Sequence, residues 1–117
     1  MSIEISGIDR NVALRRRVER QIGAALGPLR VAPVKALVSF FDDNGPKGGL
    51  ALRCAVTVRV PYRPAIRVEN TAATARVAFD GALGVLERQL ERYRERDRDV
   101  RRRPKKYFAA KRLLGGG

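Results

Sequence analysis

The chain has no histidine and a single cysteine, Cys54, among its 117 residues. Without histidine, no Ser-His-Asp triad, Cys-His pair or Cys/His zinc site can form within it. One cysteine cannot build an internal disulfide framework, and it fits a reducing compartment. Long apolar runs are also missing, so nothing in the sequence is predicted to span a bilayer. The opening MSIEISGIDR has an early acid and no continuous apolar stretch, unlike a secretory signal. A cytoplasmic location and no membrane partner are the expectations.

Acidic residues are scarce. Asp and Glu number 12 against 25 Lys and Arg, a formal net charge of +13. Like charge on that scale opposes compaction of a small domain unless an anion neutralises it. Nucleic acid is the leading partner, because its phosphates give sequence-independent affinity for cations; the plainer reading is a merely basic protein. Hydrophobic residues make up 44% of the chain, enough for a folded domain, and the length suits one core.

Ile3 and Ile5 alternate with polar neighbours in a short half-buried strand closed by Gly7. Asp9 or Asn11 caps a helix whose inner stripe is Leu14, Val18, Ile22 and Leu26, ending at Gly27-Pro28. Arg15, Arg16, Arg17 and Arg20 lie off that stripe. From residue 34 to 40 the period becomes two, with Val34, Ala36, Val38 and Phe40 on one face. The turn-rich DDNGPKGG leads to the clearest strand, in which Leu50, Leu52, Cys54, Val56, Val58 and Val60 share a face. Alternation this clean predicts an antiparallel sheet covered on one side. After PYRP, Ile66 and Val68 point inward on a last strand, and Thr71 or Thr74 caps a second helix reaching about Asp99.

The predicted order is β-α-β-β-β-α. Two helices with one apolar stripe each, and a four-stranded sheet with one apolar face, predict an α+β two-layer sandwich with both helices on that face. Residues 1–99 are expected to form the domain and residues 100–117 a basic tail, folded on induction or disordered. Gly81 and Gly84 lie inside the second helix, where each costs about 1 kcal/mol against alanine. Close approach to the sheet, the first helix or RNA would account for them.

Residues 79–106 are the most informative stretch. Phe79, Leu83, Leu86, Leu90 and Tyr93 form a buried stripe. Off it, Arg88, Arg92 and Arg96 stack at i, i+4, next to a parallel ridge of Glu87, Glu91, Glu95 and Asp99. Pairs at i, i+3 such as Arg88–Glu91 can neutralise one another in solution, each worth about 0.2–0.5 kcal/mol. So this ridge is either a polyanion surface or a solvated, salt-bridged face. Arg101, Arg102, Arg103, Lys105, Lys106, Lys111 and Arg112 have no acid among them, which favours a nucleic-acid contact. Tyr107 and Phe108 either stack on bases or cover the core. Lys35, Arg53, Arg59 and Arg67 would share the open sheet face, as an RNA surface or as an ordinary charged exterior.

Little points to catalysis. Cys54 falls in the inward register and reads as an inert buried thiol. Asp42 and Asp43 suit a turn, and Asp80 suits a helix-surface or cap contact. GPKGG lacks the Lys-Ser/Thr ending of a phosphate loop and does not open a helix. The C-terminal LLGGG is superficially ubiquitin-like, but the element order is not. No enzyme activity, small-molecule substrate, cofactor or metal is expected.

The run AFDGALGVLERQLERYRER, residues 78–96, resembles the "AIDxLxxxLxRQLxKxKxK" run of the ribosome hibernation-promoting factor and ribosome-associated inhibitor A family in its short form. Asp80, Leu86, Arg88, Gln89 and Leu90 match directly, and Arg92, Arg94 and Arg96 match its basic positions. ALRRRVERQI resembles the first-helix "LRxxVxxKL", and DDNGPKGGLALRC resembles the hairpin of a short ribosome-associated subgroup. Arg76 stands where the family usually has an aromatic, and Gly84 where it has an acid. The resemblance implies a β-α-β-β-β-α fold and a non-catalytic protein. It implies binding to rRNA in the mRNA/tRNA channel of the small ribosomal subunit, which silences translation under stress. It places rRNA contacts on Arg88, Arg92, Arg94 and Arg96, with Arg15, Arg16 and Arg20 secondary and Arg101, Arg102, Arg103, Lys105 and Lys106 extending them. Lacking the dimerisation domain of long members, the chain is expected to be a monomer off the ribosome. The competing readings are a general double-stranded RNA-binding module and a protein-interaction domain for an acidic partner.

Overall fold

The computed structural model describes residues 2–8, 10–29, 35–43, 51–61 and 63–102, without the side chains of 96–102. The elements are β1 (Ser2–Ser6), α1 (Val12–Leu26), β2 (Lys35–Asp42), β3 (Leu52–Arg59), β4 (Ile66–Ala72) and α2 (Ala75–Arg102). The expected order and the α+β class are both present. Val34, Leu50 and most of the turn-rich connection lie outside the described residues, as does the tail from residue 103.

The sheet order is β1-β2-β3-β4. β2, β3 and β4 pair antiparallel, as their alternation predicts. β1 departs from that expectation: it runs parallel to β2, with Ser2 opposite Lys35, so the sheet is mixed. The physical reason is the connection. A helix between two strands carries the chain back along the sheet, so the second strand starts again from the same end.

α2 packs on β3 and β4, and α1 packs on α2 and β1. Both helices start close after the ends of β1 and β4, which run the same way. They therefore descend side by side, with their N-termini at one end of the molecule. Asn11 caps α1, its Oδ1 accepting from Leu14 N at 3.1 Å, and Thr74 caps α2, its Oγ1 accepting from Val77 N at 3.2 Å. Thr71, the other candidate, belongs to β4.

Between the layers lie the residues whose spacing marks them. Leu14, Val18, Ile22 and Leu26 of α1 are all buried, as are Phe79, Leu83, Leu86 and Leu90 of α2. They meet Ala36, Val38, Phe40, Cys54, Val56, Val58 and Val68 from the sheet in one cluster, with Tyr93, Ile3 and Ile5 at its margin. Each large aliphatic or aromatic side chain so buried contributes about 1.5–3 kcal/mol. Gly7 turns out of β1 with φ +90, and a Cβ there would run into the Phe40 carbonyl. Gly81 is a close approach of α2 to the sheet, since a Cβ would fall on the Asn70 amide; at Gly84 a Cβ would meet open space.

Candidate nucleic-acid interface

The cations of the outer sheet face are largely neutralised by carboxylates of the same face. Lys35 Nζ lies 3.2 Å from Glu4 Oε1. Arg53 Nε donates to Asp43 Oδ2 at 2.9 Å, its second arm lies 3.6 Å from Glu69, and its guanidinium sits 4.3 Å above the Phe41 ring. The hydrogen bond to Asp43, opposed in part by desolvation, raises the Arg53 pKa above its ordinary value. Arg67 donates to Glu69 Oε1 at 2.7 Å and to Thr57 Oγ1 at 3.3 Å. Cross-strand alternation puts these side chains on one face, and the carboxylates came with them. Arg59 alone of the four makes no such pair among the described residues.

On α1 the cluster divides. Arg17 turns toward α2, where its Nε and Nη2 both donate to Asp80 Oδ1 at 3.1 Å. Arg76, one turn before Asp80, approaches the other carboxylate oxygen at 3.9 Å. This gives Asp80 a role that spacing does not disclose: it ties the two helices together. Arg15 lies 3.8 Å from Glu19. Arg16 and Arg20 are exposed.

On α2, Arg88, Arg92 and Arg94 are exposed. Among the described residues, neither Arg88–Glu91 nor Arg92–Glu95 closes to an ion pair. At about 100° per residue, Glu87 and Glu91 fall on the side of Asp80, toward α1, whereas Arg92 falls on the opposite side, toward β4, with Glu95 on the outward surface between them. Arg88 lies between, pointing away from the sheet, and Arg94 falls on the α1 side. Arg96, Arg101 and Arg102 are in α2, which passes three residues beyond Asp99, but their side chains are outside the description. Arg103, Lys105, Lys106, Lys111, Arg112, Tyr107 and Phe108 lie outside the described residues altogether.

Where α2 passes the start of β4 there is a cleft of about 500 Å³, lined by Arg63, Pro64, Ala65, Ile66, Arg67, Gln89, Arg92 and Tyr93. The Arg63 guanidinium lies 4.7 Å from the Tyr93 ring centre. Tyr93 Oη is buried with no hydrogen-bond partner among the described residues. Sequence spacing assigns Tyr93 to the core and Arg63 to a turn, and nothing in either signal joins them. Elsewhere the described residues hold no cluster of metal-ligating side chains, and none of their helices is long and apolar enough to cross a membrane. Burial pushes the Cys54 thiol up to about 12, as an inert core thiol requires.

A four-stranded sheet backed by two parallel helices, one of them carrying exposed arginines that are unpaired among the described residues, defines a small α+β domain. Its family follows from comparison: a profile described as sigma 54 modulation protein / S30EA ribosomal protein matches residues 1–98, and the chain belongs to that family. It is a family of ribosome-associated factors, not a known family of enzymes, and the resemblance to hibernation-promoting factors is borne out. Two solved structures share the fold. The N-terminal domain of Protein Y from Thermus thermophilus is 23% identical, with a TM-score of 0.60 over 79% of this chain and 94% of that one. A ribosomal subunit interface protein from Coxiella burnetii is 19% identical, with a TM-score of 0.60 over 81% of this chain and 99% of that one. No curated protein matches.

Proposed function

We propose that this protein binds the small ribosomal subunit in the channel shared by mRNA and tRNA, and silences translation by occupying it. The observation that carries the reading is the contrast between the two sides of the molecule. The sheet face pairs Lys35, Arg53 and Arg67 internally, whereas Arg88, Arg92 and Arg94 on α2 stay exposed and unpaired among the described residues. Unpaired arginines on a rigid helix meet backbone phosphates with little to give up, and released counterions drive the association. Shape and charge would dominate over base reading, as is general for helical RNA. Family membership and the interface-protein name of a structural neighbour support the ribosome as the source of that RNA.

In this reading Arg88, Arg92, Arg94 and Arg96 make the principal contacts. Arg16 and Arg20 are secondary, and Arg15 is weaker because it already faces Glu19. Arg101, Arg102, Arg103, Lys105 and Lys106 extend the contact. The protein acts in the cytoplasm, as a monomer off the ribosome, without catalysis or cofactor.

Co-sedimentation with purified small subunits tests it. Wild-type protein pellets with the subunit and inhibits cell-free translation. Arg88→Glu, Arg92→Glu and Arg96→Glu combined abolish both while circular dichroism stays native. Undiminished pelleting of that triple variant would remove the site from α2. Equal affinity for naked duplex RNA and for subunits would replace the ribosome-specific reading with a general double-stranded RNA-binding module. Pelleting insensitive to RNase would point to an acidic protein partner.

A further inference from the structure

Of the two glycines inside α2, the fold accounts for one. A Cβ at Gly81 would fall on the Asn70 amide, whereas at Gly84 it would meet open space. Glycine is the poorest helix former after proline, and no close approach within the described residues offsets that at position 84. Its place on the helix is the outward one. At about 100° per residue, Gly84 falls between Asp80, which faces α1, and Arg88, which points away from the sheet. Arg88 follows one turn later on this outward surface, exposed and without an ion pair among the described residues. Across the helix junction, Arg20 of α1 is likewise exposed and unpaired among them. The Arg17–Asp80 contact fixes how the two helices are aligned. From that level Arg20 lies about 4.5 Å further along α1, and Gly84 about 6 Å further along α2. Gly84 therefore comes to the height of Arg20, with one available guanidinium on each helix beside it.

We infer that an RNA backbone strand crosses the two helices over Gly84, its phosphates on Arg20 and Arg88, and that the bare position lets the strand lie against α2. This names a contact point within the ribosome-binding reading and rests on that reading. The chemistry suits a strand better than a small anion. Arginine is long enough to reach over a methyl group to a free phosphate ion, so such an ion sets no limit on residue 84. A sugar–phosphate chain is continuous, and lying on a helix it meets every outward side chain beneath it. Charge-assisted N–H···O bonds hold at about 2.7–2.9 Å, so a side chain at 84 lifts the strand from both guanidinium groups at once. Glu91 and Glu95 are exposed on or beside the outward surface beyond Arg88. Their carboxylates repel phosphate, so a strand seated on Arg88 crosses α2 at Gly84 instead of running along it.

The test sets stability against binding in the full chain. Gly84→Ala and Gly84→Gln both replace glycine with a better helix former, so both should raise the melting temperature. Affinity for purified small subunits, measured by co-sedimentation at one fixed salt concentration, should move the other way. The loss should be about threefold for alanine and about tenfold or more for glutamine, the size of one lost charge-assisted contact. Gly84→Gln carries no charge, so the loss cannot come from altered net charge. Combined with Arg20→Ala or Arg88→Ala, Gly84→Gln should cost less than the product of the separate losses, because a lifted strand no longer reaches either arginine. Thr71→Gln, on the exposed sheet face, should leave affinity unchanged.

Wild-type affinity in a folded Gly84→Gln variant overturns the inference and leaves the ribosome-binding reading intact, since the wild-type protein still pellets. Losses that multiply in full with those of Arg20→Ala and Arg88→Ala overturn it as well, because the three positions then act apart. Should the wild-type protein fail to pellet with subunits, the ribosome reading falls, and the same comparison is made on duplex RNA. Weaker duplex binding by Gly84→Gln there keeps the strand crossing, and equal binding ends it.

Discussion

Asp80 and Arg17 show how a single contact decides whether an arginine is available. Arg17 belongs to a run of cations on α1 but spends its guanidinium on Asp80 across the helix interface, half-shielded from water. A pair exposed to this extent is worth about 1 kcal/mol or less. Asp80→Asn and Arg17→Gln should each lower stability by about that amount, and a double-mutant cycle by urea unfolding should show coupling between them. Their effect on ribosome binding should be small, since neither group is free for phosphate. Cys54 supplies a pH prediction. Its thiol has an ordinary value near 9 and is pushed up to about 12 by burial. In that window the unfolded chain has lost a proton that the folded chain keeps, so stability falls as pH rises from 9 toward 12. The slope from this one group is at most about 1.4 kcal/mol per pH unit. Urea melts between pH 8 and 11 should be less steep for Cys54→Ala than for the wild type. The thiol should resist alkylation until the domain unfolds.

At the scale of elements, α2 is two things at once, and its glycines separate them. Gly84 has nothing near its missing Cβ, so Gly84→Ala should stabilise the helix by about 0.5–1 kcal/mol. Gly81→Ala gains the same propensity but displaces the Asn70 amide, which donates to the Ala78 carbonyl at 3.2 Å. A hydrogen bond of that kind contributes about 1 kcal/mol, so the net effect should be nil or unfavourable. Thermal melts of the two variants should therefore diverge, although the substitutions are three residues apart. Removing core atoms from the same helix is costlier: Leu86→Ala should cost about 2–5 kcal/mol, because Leu86 is fully buried. The apolar stripes, both helix caps and the strands were legible in the sequence, since burial repeats at the helical or strand period and writes itself into spacing. The parallel pairing of β1 was not legible, because period-two alternation reports which face a residue uses and not which way its neighbour runs.

For the whole molecule, the net charge of +13 overstates what a partner meets and understates where it is concentrated. The sheet face carries cations matched to Glu4, Asp43 and Glu69, while α2 carries exposed arginines that close no ion pair with Glu87, Glu91 or Glu95 among the described residues. Ribosome affinity should therefore fall steeply with salt. Each α2 arginine that contacts a phosphate should account for about 0.7–0.9 of the log–log slope. Arg88→Ala, Arg92→Ala and Arg94→Ala combined should flatten that slope by about 2–3, whereas Lys35→Ala on the sheet face should leave it nearly unchanged. Filter binding or sedimentation at graded potassium concentrations measures both.

Composition and periodicity by themselves determined the element order, the two-layer packing and the absence of histidine chemistry. They did so because charge balance and hydrophobic repeat are properties of the chain whatever its path. The basic run on α2 was also visible, but its availability was not, since arginine and glutamate ridges side by side read equally as partners. Only the tertiary structure decided that question. The exposed arginines of α2 close no ion pair among the described residues, cross-strand neighbours closed the sheet's own ion pairs, and Asp80 took Arg17. The cleft of Arg63, Arg67, Arg92 and Tyr93 exists only in three dimensions: its residues come from a turn, a strand and a helix, and only folding brings them together.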